Sequence, residues 1–138
     1  MHYLGHYEKW DPQECYYYSV ENCGFEASAE RNEGTFSKYT ELDDKLVPFA
    51  FYCMYIKFGF GRAMYDAVQE VRNGKITRDE AIALIHRFDG EYPHRWLPEI
   101  LEYLGMEEDE FNSVFDKFRP PHLWEKINTS WQLKYPAK

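Results

Sequence analysis

The sequence predicts a mostly α-helical, compact multi-helix domain with at most minor β-structure at the C-terminus. Three observations carry this. Apolar residues recur at i, i+3, i+4, i+7 in four separate segments, the spacing that puts them on one face of a helix. Recognisable start and stop residues bound those segments, and the links between them are a few residues long. The four segments share no polar pattern, so they are helices and not copies of one repeat.

Met1 to Trp10 is rich in His and Tyr and carries no period; it reads as a strand or strap, a solvated or packed terminus, and the spacing of His2 and His6 does not make a metal site without a helix beneath it. Asp11-Pro12 reads as a helix cap and first helical residue, opening a helix over Gln13 to about Asn22 that Gly24 closes. Tyr16, Tyr17 and Tyr18 are consecutive and cannot share one face. Phe25 to Thr40 has no period of 2 or 3.6 and reads as a loop. Thr40 and Asp43 form a weak capping signal for a helix over Leu42 to Phe58, where Pro48 predicts a bend. Every residue from Phe49 to Ile56 is apolar or aromatic, which predicts a helix surrounded on most sides.

The four periodic helices follow. Met64, Ala67, Val68 and Val71 mark the first, which Asn73-Gly74 stops. Ala81, Leu84, Ile85 and Phe88 mark the second, opened by the capping box Thr77-Arg78-Asp79-Glu80 and stopped by Asp89-Gly90. Leu97, Ile100, Leu101 and Leu104 mark the third, with Pro93 and Pro98 near its start and Gly105 at its end. Phe111, Val114, Phe115 and Phe118 mark the fourth, whose start is loaded with Glu107 to Glu110. Pro120-Pro121 breaks it, a short helix is predicted over His122 to Lys126, and Asn128 to Tyr135 reads as a short strand or extended tail.

A chain of 138 residues is one domain's worth and long enough to enclose a core without disulfides or metals. Its net charge of −8 argues against a nucleic-acid or anionic-membrane surface. The three cysteines, Cys15, Cys23 and Cys53, are odd in number, follow no secretory signal, and point to a reduced, cytoplasmic setting. The run Leu46 to Ile56 is too short to span a bilayer, so no membrane insertion is expected.

Candidate chemistry concentrates in Glu30 to Arg62, a charged stretch that feeds an apolar helix. Glu30, Arg31, Glu33, Lys38, Asp43, Asp44, Lys45, Lys57 and Arg62 put four acids and five bases within about thirty residues. Arg and Lys suit a pyrophosphate or carboxylate; the acids suit hydroxyls, a magnesium ion on phosphates, or an attacking amine. Gly34, Gly59 and Gly61 let backbone N–H groups approach an anion. The same residues also suit a salt-bridged loop and helix start. Asp66 stands one helical turn after Arg62, placed to orient it as an i, i+4 pair. Cys53 reads as inert core, Trp124 as packing, and His86 as a surface or core-edge residue. No Gly-x-Ser-x-Gly, His-Glu-x-x-His or paired Cys-x-x-Cys occurs, and Lys57-Phe58-Gly59-Phe60-Gly61 is not a dinucleotide fingerprint.

The words ERNEGTFSKYTELDDK, IKFGFGRAMYDA, GKITRDEAIALIHRFDGE and FDKFRPPHLWEK, in that order, resemble the C-terminal region of the N-acetyl sugar amidotransferases. These are enzymes of bacterial surface-polysaccharide biosynthesis within the PP-loop ATP pyrophosphatases. The resemblance runs from about Leu4 to Tyr135 and treats residues 1–138 as a single helical domain. The family's Ser-Gly-Gly-x-Asp-Ser type ATP loop and its Cys-rich segment are not among these residues, which implies a fragment or a separately encoded ATP-loop partner.

By that resemblance the activity turns an acetamido group of a nucleotide-activated sugar into an acetamidino group. ATP and Mg are expected for the full enzyme and not for this chain alone. The implied partners are a nucleotide-sugar substrate, an ATP-loop domain or subunit, and a glutaminase subunit supplying ammonia; no nucleic acid is implied. The nine charged residues would then hold substrate, gathered on one wall of a cleft. The alternative is a non-catalytic helical module that binds a protein partner through its Tyr and Trp residues.

Overall fold

The computed structural model describes residues 1–138 and is mostly helical. After a 3-10 turn at Leu4–His6 come α1 (Pro12–Cys23), α2 (Val47–Phe58), α3 (Arg62–Arg72), α4 (Arg78–Phe88), α5 (Leu97–Leu104) and α6 (Glu108–Lys117). A C-terminal hairpin, β1 (Trp124–Ile127) and β2 (Ser130–Leu133), supplies the only sheet. No helix is long and apolar enough to cross a membrane.

Most boundaries follow local chemistry. Asp11 caps α1 by accepting from the Gln13 and Glu14 amides at 3.2 and 3.3 Å, and Gly24 closes the helix in the left-handed region. Thr77 and Glu80 form both halves of the capping box on α4. Gly105 closes α5 with φ +64°.

Two boundaries differ from expectation. The second helix starts at Val47 and not at Leu42. A start at Leu42 would bury Pro48 in the helix interior, where its ring would meet the Asp44 carbonyl; starting at Val47 places it in the first turn, where no N–H is needed, and no bend is required. Glu41, at φ +60°, breaks the backbone ahead of it, and Asp44 rather than Thr40 or Asp43 supplies the local acceptor, taking the Leu46 amide at 2.7 Å. The short helix predicted over His122 to Lys126 is instead a turn leading into β1. Trp124 pairs with Leu133 across the hairpin and its indole donates to the Ile56 carbonyl at 2.7 Å, tying the segment to α2 as an extended strand. Asn128, at φ +56°, provides the left-handed position that the two-residue connection requires.

Phe49 of α2, Leu97 and Ile100 of α5 and Phe111 of α6 form one core cluster, flanked by Tyr92, Trp96, Leu101 and Phe115. The other buried apolar positions, Ile56, Ala63, Ala67, Ala81 and Trp124, lie along α2, α3, α4 and β1. Alanines at the facing positions let α3 and α4 pack closely, the largest helix pairing in the fold. Only 15 of 138 residues are buried, so the helices form a thin framework with many half-buried aromatics. α2 shows this: Phe51 to Tyr55 are half-buried, and Ala50 is exposed. Cys53 is likewise half-buried.

Asp89 and Gly90 join this framework to the start of α3. The Asp89 carboxylate accepts from the Gly61 and Ala63 amides at 2.8 and 3.1 Å, capping α3 from a distant part of the chain. Gly90, at φ +77°, lies so close to Tyr55 that a Cβ would stand 2.1 Å from its ring. Gly90→Ala is therefore expected to destabilise the fold by more than about 2 kcal/mol in urea unfolding, since it combines backbone strain with overpacking.

Candidate functional site

The irregular segment between α1 and α2 lies over one end of α3 and α4, and part-buried polar contacts fix it there. Arg31 forms a two-pronged pair with Glu91, at 2.6 and 2.8 Å, and stacks over Phe88 with its guanidinium carbon 4.6 Å from the ring centre. Glu91 also accepts from the Gly34 amide at 2.9 Å. Glu33 accepts from the Arg95 amide at 2.9 Å. Asn32 donates to the Glu41 carbonyl at 3.1 Å, so it ties the two ends of the loop together.

Thr35, fully buried, points its hydroxyl at α3 and donates to Asp66 Oδ2 at 2.9 Å. The other Asp66 oxygen lies 2.8 Å from Arg62 Nε, a contact of opposite charges one helical turn apart. Burial pushes the Asp66 carboxyl up from its ordinary value, while Arg62 and Thr35 pull it down. Arg62 packs between Phe51 and Tyr65, 4.9 and 5.6 Å from the ring centres, and faces a second carboxylate, Glu41, at 3.6 Å. The Glu41 side chain is 3% exposed, and neither carboxylate oxygen accepts a hydrogen bond. Burial pushes its pKa up to about 7, with Arg62 opposing and Asp66 reinforcing the shift.

Beside this cluster lies a cavity of about 310 Å³ between the loop, α1 and α3. Trp10, Tyr39 and Tyr65 give it aromatic walls; Arg62, Asp66 and Glu70 give it charge. Tyr39 is held by a stack on Tyr16, with ring centres 4.4 Å apart, and by its hydroxyl donating to Gln13 at 3.0 Å. Burial and the nearby Glu70 and Asp66 push the Tyr39 hydroxyl up to about 12. Aromatic faces with convergent carboxylates suit a polar ring that offers C–H faces for stacking and O–H or N–H groups for donation. A larger concavity of about 970 Å³ is the open face of α1, lined by Glu14 to Glu21 of that helix alone.

The nine predicted charged residues divide among several places. Arg31 and Glu33 anchor the loop, and Arg62 reaches the cavity. Lys38 donates to the Ala29 carbonyl at 2.9 Å, and Lys45 pairs with Glu99 at 2.7 Å while lying over Trp96. Lys57 lies at the exposed end of α2 near Phe58. Asp44 accepts the Leu46 amide in the turn just ahead of α2, and Glu30 and Asp43 are exposed. The Arg62–Asp66 pair forms as its spacing predicts. Sequence reading missed Glu41, Glu70, Glu91 and Tyr39, whose roles come from partners distant in the chain and leave no local pattern.

The fold and cavity define a small helical module built to position polar groups on a rigid frame. Residues 33–136, about three-quarters of the chain, match the family model described as LPS biosynthesis protein WbpG-like, C-terminal domain. The chain belongs to this family, which places it in lipopolysaccharide biosynthesis. No curated protein matches it. No three His, Cys, Asp or Glu side chains come together in a group that could hold a metal ion.

Glu41 predicts a pH dependence. Its folded-state pKa, about 7, lies above the ordinary 4.5, so its contribution to stability is greatest below about pH 4.5 and is lost as pH rises through 7. Glu41→Gln should leave stability near its parent value at pH 4.5 and exceed it by on the order of 1–3 kcal/mol at pH 8, measured by urea unfolding.

Proposed function

We propose that this chain is the substrate-side portion of an ATP-dependent N-acetyl sugar amidotransferase acting on a nucleotide-activated sugar in the cytoplasm. The observation that carries this reading is the aromatic and carboxylate cavity beside Arg62, in a chain of the WbpG-like C-terminal family. Tyr65 and Trp10 would stack on the sugar, and Asp66 and Glu70 would accept its hydroxyl and amide hydrogens. The framework around Asp66 would hold these acceptors in fixed positions, lowering the entropy cost of orienting the acetamido group.

In the proposed reaction, ATP held by a PP-loop domain or subunit would adenylate the amide oxygen with release of pyrophosphate, and ammonia from a glutaminase subunit would add at the amide carbon and expel AMP. This chain's part is to bind and orient the sugar and to exclude water. Arg31, Lys38, Lys45 and Lys57 stay within the proposal as contacts to the anionic parts of the ligand, with Glu30, Glu33, Asp43 and Asp44 as candidate polar contacts.

A second reading, a module that binds a protein partner, is favoured by one specific feature. α1 has no buried residue and presents Tyr17 and Tyr18 to solvent. Calorimetric titration of a UDP-linked diacetamido uronic acid separates the two. The sugar should bind, and Tyr65→Ala should weaken it about five- to tenfold through loss of a stacking face. No heat from the sugar, even with an ATP-loop subunit added, favours the protein-binding module.

A further inference from the structure

On the face of α3 turned away from the Arg62 cavity, α3 and α4 form a groove of about 540 Å³. Ala67 and Ala81, both buried, bring the two helices close. Met64, Val68 and Val71 of α3 and Ile82 and Ile85 of α4 give the groove its apolar lining. Val68 stays 52% exposed, and only Ala137 and Lys138 of the C-terminal tail reach the groove from elsewhere in the chain. His86 Nε2 lies 2.8 Å from the Ala137 carbonyl, and Arg78 donates to that of Lys138, so the tail borders the groove and does not fill it.

Three cations, Arg72, Arg78 and Lys138, edge this lining, which contains no acid. None of the three is in an ion pair. In a chain of net charge −8 this is a local reversal of sign. The same chain exposes the complementary surface at the corner between α5 and α6. Tyr103 is 77% and Leu104 45% exposed, and Glu107, Glu108, Asp109 and Glu110 follow, all exposed and none in an ion pair. An apolar pair leading into four carboxylates matches an apolar groove edged by cations in both chemistry and sign. The two surfaces do not cover each other within one chain, since both stay open to solvent.

We propose that the α3–α4 groove docks a second copy of this chain, receiving its Tyr103–Leu104 corner while Glu107 to Glu110 face Arg72 and Arg78. Burial of Tyr103 and Leu104 supplies the apolar attraction, and the charges set the register and oppose like-charged pairings. Arginine suits this edge, because its stem covers apolar surface while its guanidinium meets a carboxylate. Each copy uses its groove for one neighbour and its corner for another. The contact is therefore head-to-tail and extends past a dimer, into a ring or a short chain. It rests on these two surfaces and does not depend on the sugar reading.

Sedimentation equilibrium of the full chain tests the proposal. The weight-average mass should rise above that of one chain between about 10 µM and 1 mM, and the rise should shrink as salt is raised. Arg72→Glu with Arg78→Glu reverses the groove, and Asp109→Lys with Glu110→Lys reverses the corner. All four side chains are exposed, and circular dichroism checks that helix content is kept. Each double variant alone should associate at least about tenfold more weakly. An equal mixture of the two should recover the parent's association, because each reversed surface then meets an opposite one. Tyr103→Ser, at an exposed side chain, should weaken association about tenfold with no charge altered. A chain that stays monomeric throughout overturns the proposal and leaves the groove to a different partner. So does association that the charge reversals or Tyr103→Ser leave unchanged, or a mixture that stays as weak as its components.

Discussion

The arrangement depends on one largely buried carboxylate, Asp66. It accepts the Thr35 hydroxyl with one oxygen and faces the Arg62 guanidinium with the other. Removing a carboxylate from water costs several kcal/mol unless its lone pairs are met, and here a loop and a helix each supply one partner. The loop is thereby seated on α3, and Arg62 is fixed between Phe51 and Tyr65 at the edge of the cavity. Glu91 repeats the same device one step away, joining Arg31 and Gly34 of the loop to the segment after α4.

This construction explains how a chain with so few buried residues presents a defined concave site. The apolar core of α2, α5 and α6 supplies rigidity at one end. At the other end, polar contacts replace apolar burial as the means of order, and α1 is attached through the Tyr16–Tyr39 stack and the Lys75 pairs. Polar contacts specify geometry more sharply than they stabilise it. Glu41 shows the cost: its backbone is left-handed and its carboxylate is buried without a donor, beside the cavity. Such local disagreement with the rules of folding is expected where a surface is shaped for a ligand.

Much of the helical frame is legible in the sequence because its signals are local. The Thr77–Glu80 capping box, the glycines at 24 and 105, and the Arg62–Asp66 pair all act within one or two turns. What sequence reading misses is set by distant partners. The segment from His122 resembles a short helix until Trp124 is seen donating to Ile56, 68 residues away. Glu91 looks like an ordinary turn residue, yet it receives Arg31 from 60 residues back. The cavity draws Trp10, Tyr39 and Glu70 from three separate elements, and no periodicity brings such residues together. Proline was visible as a helix signal, but its exact consequence, a later start to α2, required knowing that Glu41 breaks the backbone before it.

If Asp66 seats the loop on α3, amide hydrogen exchange in Asp66→Asn will show the loop released. The amides of Ser37 and Tyr39, held by the turn around Thr35, should lose protection by on the order of tenfold or more, while those of α5 and α6 keep theirs. Unchanged exchange at Ser37 and Tyr39, or an equal loss of protection across all helices, would contradict it.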